Sequence, residues 1–311
     1  MAFALVFPGQ GSQSVGMMNG YGDSSVIREV FAEASDALGE DLWQMASEGP
    51  AERLALTVNT QPLMLTAGVA AYRAWLAAGG AKPVLVAGHS LGEYSALVAA
   101  GALAFADAVP LVRFRAQAMQ EAVPEGEGAM AALMGLEIEE VRAACAEAGE
   151  GEVVEAANLN APGQIVIAGA RTAVARAMEL AAAKGAKRAV LLPVSAPFHC
   201  ALMKPAAERL RERLATVKIS RPGIDVLNNV DVAVQEDPEK IRDALVRQAF
   251  SPVRWIESVT AMSVRGLSHV IECGPGKVLA AMTRRISRDV QGGSLHDAAS
   301  LVQMLVEMRT E

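Results

Sequence analysis

Residues 84–94 read Val-Leu-Val-Ala-Gly-His-Ser-Leu-Gly-Glu-Tyr. An apolar run, Val84 to Ala87, ends in Gly88-His89-Ser90-Leu91-Gly92, and a helix-compatible stretch follows from Glu93 to Ala100. Gly-x-Ser-x-Gly between a strand and a helix is the context of a nucleophile elbow. The serine of such an elbow sits on a strained turn, so the residues two before and two after it must be small for the backbones to pass. The turn lifts the Ser90 hydroxyl above the sheet edge. It also aims the first N–H groups of the next helix at the reacting centre, where negative charge develops. In a chain with 27 glycines the bare five-residue pattern arises readily by chance; the strand before it and the helix after it make it specific.

A serine hydroxyl needs a base. Of the four histidines, His89 adjoins Ser90 and is expected to point to the other side of the turn. His269 begins an apolar strand, and His296 lies in a polar C-terminal loop. His199 follows Pro197, where the chain returns from an inserted unit to the main sheet, and pockets form at such junctions; it is the favoured base, with a packed histidine as the alternative. Cys200 beside it raises a Cys-His pair, but sequence neighbours rarely face each other and cysteine is commonly a small buried apolar residue. Of the downstream acids, Asp225 and Asp231 included, none sits in a sequence context that marks it as the group orienting the imidazole, and a backbone carbonyl would hold the imidazole N–H equally well. The oxyanion of acyl transfer needs two donors. The N–H of Leu91, just after the nucleophile, is one; that of Gln10, in the glycine-rich Pro8-Gly9-Gln10-Gly11-Ser12-Gln13 after the first strand, is the other candidate. Arg113 and Arg115 lie on the next helix. A guanidinium matches a carboxylate bidentately, though either arginine taken alone reads first as a solvated one.

These residues need a scaffold. The 311 residues are 52% hydrophobic and 20% charged, enough to bury a sizeable core in one large domain or two smaller ones. The net charge of −7 disfavours nucleic acid as a partner. Three scattered cysteines without Cys-x-x-Cys spacing imply neither zinc site nor disulfides and suit a reducing cytosol. No leader peptide is expected, and Arg73 interrupts the longest apolar stretch, 62–78, so no membrane span is expected either. Strands at 3–7 and 84–87 alternate with helices at 26–38, 62–76 and 106–122, which predicts a mostly parallel sheet covered on both faces. After the polar hinge 124–128 the order becomes β-α-β-β-α-β: a strand at 129–136, a helix at 138–148, strands at 153–158 and 164–168, a helix at 172–184 and a strand at 188–193. That is a ferredoxin-like unit. Further helices are expected at 201–215, 239–248, 256–263, up to 286 and 297–308, with strands at 225–228 and 269–271.

Four segments occur in order: Phe7-Pro8-Gly9-Gln10-Gly11-Ser12-Gln13, Gly88-His89-Ser90-Leu91-Gly92-Glu93-Tyr94, Ser195-Ala196-Pro197-Phe198-His199-Cys200 and Gly274-Pro275-Gly276. Together they closely resemble the malonyl-CoA:acyl-carrier-protein transacylases of bacterial type II fatty acid synthesis. Asn158-Leu159-Asn160-Ala161-Pro162-Gly163-Gln164 and Asn228-Asn229-Val230-Asp231 fit as well, so the resemblance covers nearly the whole chain. It implies an α/β fold: an α/β-hydrolase-like core with a mostly parallel sheet, residues 1–125 and 204–311, and an inserted ferredoxin-like subdomain, residues 126–203. It implies Ser90 as the acyl-carrying nucleophile, His199 as its base and Gln248 as the residue whose main-chain carbonyl orients His199. Gln10 and Leu91 would supply the oxyanion-hole amides, and Arg115, four residues ahead of Met119, would hold the malonyl carboxylate. Ala116 departs from the glycine common after that arginine and is expected to narrow the pocket slightly. Phe198 before the histidine points to malonyl rather than methylmalonyl units.

The implied reaction is ping-pong transfer of malonyl from malonyl-CoA to the phosphopantetheine thiol of acyl carrier protein, with no metal or redox cofactor, by a cytoplasmic monomer. Carrier proteins of this kind are acidic, so Lys187, Arg188, Lys204, Arg284 and Arg285 are expected to form the landing patch for carrier protein and CoA. Two alternatives stand beside this: a serine esterase or thioesterase, in which water resolves the acyl-enzyme, and a catalytically idle carrier-binding scaffold.

Overall fold

Phe3–Phe7 (β1) is buried at every position because both of its faces are covered. Phe3, Leu5 and Phe7 face one apolar cluster, while Ala4 and Val6 face another. The neighbouring strand Leu85–Gly88 (β2) divides the same way, Val86 to one side and Leu85 and Ala87 to the other. Side chains alternate along a strand, so a continuous apolar run is what a sheet sandwiched between helices requires. The computed structural model of the chain describes residues 2–194 and 196–309; Ser195 of the segment before His199 lies outside the described residues.

The middle of the chain contributes Gly128–Met134 (β3), Val154–Ala161 (β4) and Gln164–Ala170 (β5). Arg188–Leu191 (β6) follows them. The chain then adds Asp225–Leu227 (β7), His269–Cys273 (β8) and Gln291–Leu295 (β9). Two sheets result. One is five-stranded in the order β7-β2-β1-β8-β9, and every neighbouring pair in it is parallel. Pairing Phe7 with Gly88 brings the ends of β1 and β2 level, so the loops carrying Gln10 and Ser90 leave the sheet side by side. In open parallel sheets this carboxyl edge is where ligands bind.

The other sheet is antiparallel in the order β4-β5-β3-β6, with the helices Ile138–Gly149 and Arg171–Ala183 as its two crossovers. It has an apolar core of its own around Leu133, Val141, Ile165, Ile167 and Val174. The expected mixed architecture, a parallel sheet plus a βαββαβ unit, is the one observed.

Some elements differ from expectation. The helix expected from Pro62 begins at Thr57 and runs to Ala77 with Pro62 inside it. Short helices at Leu42–Glu48 and Ala51–Ala55 were not anticipated. Nor was β9, whose Gln-Gly-Gly-Ser-Leu carries little strand preference. Among the described residues, no helix is long and apolar enough to cross a membrane.

Candidate active site

Ser90 lies two residues beyond β2 with φ +53°, in the left-handed region that non-glycine residues avoid. The two flanking glycines are sterically required. A Cβ on Gly88 would lie 1.8 Å from the Gly92 carbonyl carbon, and one on Gly92 would lie 2.0 Å from the Phe7 carbonyl oxygen. Gly9 serves the facing loop in the same way: a Cβ there would sit 2.6 Å from the His89 carbonyl oxygen. Without side chains at these points the β1 loop closes on the elbow and brings Gln10 to the rim of the serine pocket. Among the described residues, no hydrogen-bond acceptor is paired with the amide N–H of Gln10 or of Leu91.

His199 also has a left-handed backbone, φ +60°, and is 3% exposed. Its Nε2 lies 2.6 Å from Ser90 Oγ and its Nδ1 lies 2.9 Å from the Gln248 carbonyl oxygen. A carbonyl only accepts, so Nδ1 carries the proton and Nε2 is the free lone pair facing the hydroxyl. Burial, and after it the Arg115 charge, push the imidazole down to about 3, against a smaller opposing pull from the Gln248 carbonyl. The ring is therefore neutral, in its base form, at neutral pH.

Arg115 projects from the helix Phe105–Glu121 and is 1% exposed. Its Nη1 donates to Gln61 Oε1 at 2.7 Å; its Nη2 donates to Gln248 Oε1 at 3.0 Å and to Ser90 Oγ at 3.2 Å. Burial lowers its pKa from the usual arginine value, with Tyr94 and Glu93 opposing. Arg113, two residues away, instead forms a forked ion pair with Glu40 at 2.7 and 2.9 Å. The two arginines that sequence left comparable are thus divided: Arg115 enters the pocket and Arg113 braces the surface.

The pocket, about 100 Å³, is lined by Gln10, Ser90, Leu91, Arg115, Phe198 and His199, among others. Ala116 is buried but is not part of the lining, so its methyl does not narrow the cavity. His89 adjoins the pocket, and its side chain is engaged elsewhere: its Nε2 meets Asn160 Oδ1 at 2.8 Å and its ring leans on Trp255. Cys200 is buried, with its thiol pushed up to about 12 and bonded to the Pro197 carbonyl, so it offers no thiolate. His269 bridges Ser268 and Glu307, and His296 bonds Ser294.

This arrangement can accept an acyl group on a hydroxyl while a cation holds an acid on the same acyl group. Comparison with known proteins agrees. A family model described as "Acyl transferase domain" matches residues 4–304. The malonyl CoA-acyl carrier protein transacylase of Escherichia coli (strain K12) is 53% identical over 304 residues, covering 97% of this chain and 98% of that protein. The chain belongs to this acyl transferase family.

Solved structures of the family superpose closely. An acyl-carrier-protein S-malonyltransferase from Burkholderia pseudomallei 1710b gives a TM-score of 0.97 at 61% identity, covering 98% of this chain and 100% of that one. A malonyl-transacylase in complex with a type II PKS acyl-carrier protein gives 0.97 at 49% identity, covering 99% and 100%.

The five basic residues expected to form a landing patch are all exposed but are spread out. Arg285 reaches the turn between β4 and β5, bonding Pro162 O at 2.9 Å and Gln164 Oε1. Lys187 packs its stem near Gly135, whose N–H bonds the same turn at Gly163. Arg188 stands opposite Met134 at the start of β6. Lys204 lines a separate cleft with Phe250 and Pro252, and Arg284 lines a third with Lys277 and Arg288.

Sequence reasoning gave no role to Gln61, Asn160 or Asn229, nor to Glu93. Asn229 takes the Ser90 N–H on its Oδ1 at 2.8 Å and donates to the Gly88 carbonyl at 2.6 Å. The available signal was polarity in apolar company: Gln61 directly precedes the apolar run from Pro62, and Glu93 directly follows the elbow.

Proposed function

We propose that this chain transfers a malonyl group from malonyl-CoA to the phosphopantetheine thiol of acyl carrier protein, through a malonyl ester on Ser90, as a cytoplasmic monomer supplying extender units for fatty acid synthesis. The observation that carries this reading is the meeting of Ser90 Oγ with both His199 Nε2, at 2.6 Å, and Arg115 Nη2, at 3.2 Å, in one buried pocket. Its relatives are named for this activity. Three free, buried cysteines suit a reducing compartment.

In the proposed mechanism malonyl-CoA enters with its carboxylate on Arg115. Ser90 Oγ attacks the thioester carbonyl and its proton passes to His199 Nε2, while the Gln248 carbonyl holds the Nδ1 proton and steadies the imidazolium. The tetrahedral oxyanion rests on the N–H groups of Gln10 and Leu91. Collapse expels CoA, which leaves as a thiol with the His199 proton. The carrier thiol then gives its proton to His199, attacks the malonyl-serine ester and regenerates Ser90. An acetyl group would leave a buried guanidinium unpaired, which supplies selectivity. Phe198 in the pocket wall favours malonyl over branched units. Residues 126–203 form the inserted subdomain in this reading, and 1–125 with 204–311 the catalytic one; the separate apolar core of the small sheet supports that division.

Brief exposure to malonyl-CoA is expected to add one malonyl group to the intact protein, visible by mass spectrometry, and holo acyl carrier protein is expected to remove it. No mass gain sinks the proposal, and an adduct lost equally fast to water identifies an esterase instead.

The same reading makes Lys187, Arg188, Lys204, Arg284 and Arg285 the surface that receives the acidic carrier and CoA. None of the five pairs with a carboxylate among the described residues, so their charge is free to act at a distance in a chain of net charge −7. Transfer to carrier protein is expected to slow steadily as ionic strength rises. A rate that stays flat with salt removes this surface from the account.

A further inference from the structure

A buried carboxylate stands behind the site and takes no part in the mechanism above. Glu93, the second residue of the helix Gly92–Ala99, is 2% exposed. Its Oε2 accepts from Gln248 Nε2 at 2.9 Å and from the Asn229 N–H at 3.0 Å. Both partners lead straight to the reacting atoms. Asn229 Oδ1 holds the Ser90 N–H and Gln248 Nε2 holds the Ser90 carbonyl at 3.0 Å, so the strained φ of +53° is clamped from both sides. Gln248 also presents its own carbonyl to His199 and its Oε1 to Arg115. One carboxylate oxygen therefore fastens the two residues that fix nucleophile, base and guanidinium relative to one another.

We propose that Glu93 is a positioning residue for the Ser90–His199 pair, acting through Gln248 and Asn229 from two links behind the imidazole. The inference rests on the transacylase reading for the identity of the substrate, but not for the geometry it invokes. An amide in place of the carboxylate would keep an acceptor there, whereas a methyl would release Gln248 and Asn229 together. Misplacing a reacting group by about 1 Å can cost roughly a hundredfold in rate.

The charge state of Glu93 supplies a signature. The groups facing it are Gln248 from the helix Pro238–Gln248, Asn229 N–H and Asp231 from the segment after β7, Arg115 from the helix Phe105–Glu121, and Tyr94 beside it. Burial raises its pKa to about 7, with Gln248, Asn229 and Arg115 pulling down and Asp231 pushing up. Above about 7 the carboxylate accepts both N–H groups as an ion; below it the neutral acid keeps an acceptor oxygen but holds them less strongly, because a hydrogen bond to an ionised acceptor is roughly twice as strong as one to a neutral acceptor. Loading should therefore slow as pH falls through this range, and His199, pushed down to about 3, does not titrate there.

The experiment measures two rates on Glu93→Ala, Glu93→Gln and the unmodified chain between pH 5 and 9. One is single-turnover malonyl loading; the other is labelling of Ser90 by a fluorophosphonate, which needs the same nucleophile and base but no malonyl recognition. Glu93→Ala is expected to slow both by roughly a hundredfold, with little change in the malonyl-CoA concentration that half-saturates loading. Glu93→Gln, neutral like the protonated acid, is expected to run well above Glu93→Ala, at the low-pH rate of the unmodified chain throughout, and so to lack the acid limb near 7. Wild-type rates for Glu93→Ala, a Glu93→Gln as slow as Glu93→Ala, or an unchanged acid limb in Glu93→Gln would each overturn the proposal. If Glu93→Ala does not fold, the pH profile of Glu93→Gln decides alone. If the unmodified chain takes the phosphonate but never malonyl, the transacylase reading fails while the positioning role is still tested.

Discussion

Ser90→Ala is expected to abolish the malonyl adduct altogether, and His199→Ala to slow its formation by roughly a thousandfold. The first change removes the only atom to which the acyl group is proposed to bond. It should do so without unfolding the elbow. Alanine carries the same Cβ into the left-handed turn, and the Ser90 backbone keeps its bonds to Asn229 and Gln248, which involve only N–H and C=O. What disappears is the hydroxyl between His199 Nε2 and Arg115 Nη2. The second change leaves the hydroxyl but removes its proton acceptor, and among the described residues no other base is in position: His89 is engaged with Asn160. Intact-mass measurement after brief malonyl-CoA exposure checks both variants. A malonyl adduct persisting on Ser90→Ala would place the nucleophile elsewhere. Cys200 is the neighbour to suspect in that case, and its raised pKa and its bond to the Pro197 carbonyl argue against it.

How far the site can be read from sequence depends on how local its geometry is. The elbow is legible because its constraint is steric and falls within five residues: Gly88 and Gly92 each leave no room for a Cβ. The antiparallel unit is legible because its strands and helices follow one another in order along the chain. Long-range pairings are less visible. The bonds from Ser90 to Asn229, from Arg115 to Gln61 and from Glu93 to Gln248 span 139, 54 and 155 residues, and no periodicity encodes them. The role of the Gln248 carbonyl came from resemblance alone, since a backbone atom has no residue signature. The misplaced start of the helix Thr57–Ala77 has a physical cause as well. The apolar run starts at Pro62, whereas the helix starts a full turn earlier on the mostly polar Thr57-Val58-Asn59-Thr60, and so Gln61, whose buried side chain meets Arg115, was left outside the expected helix. The strand β9 was missed because two glycines in five residues give no alternation to read, although its pairing with β8 is regular along its length.

Arg115→Ala is expected to lower kcat/KM for malonyl-CoA by roughly a thousandfold or more while leaving acetyl-CoA unimpaired or improved, so that the preference between them collapses. Two effects act together. The guanidinium is nearly unexposed and held by Gln61 and Gln248 in a fixed plane, so a substrate carboxylate meets a preset fork rather than a mobile side chain. Removing it leaves that carboxylate buried and unpaired, a far larger loss than acetyl suffers. The same charge is the second cause, after burial, of the depressed His199 pKa. A malonyl carboxylate seated on Arg115 would offset that charge and strengthen the base at the moment of attack; an acetyl group could not. Deleting the charge gives acetyl the stronger base unconditionally, which is why its loading should rise rather than fall. Arg115→Lys separates the contributions, since it keeps a cation but loses the fork that spans Gln61 and Gln248, and should fall between the two. Parallel measurement of kcat/KM for both thioesters checks the set. An Arg115→Ala variant that still prefers malonyl by the original margin would show that the carboxylate is recognised elsewhere and would dismantle the substrate assignment, even with Ser90 and His199 in their proposed roles.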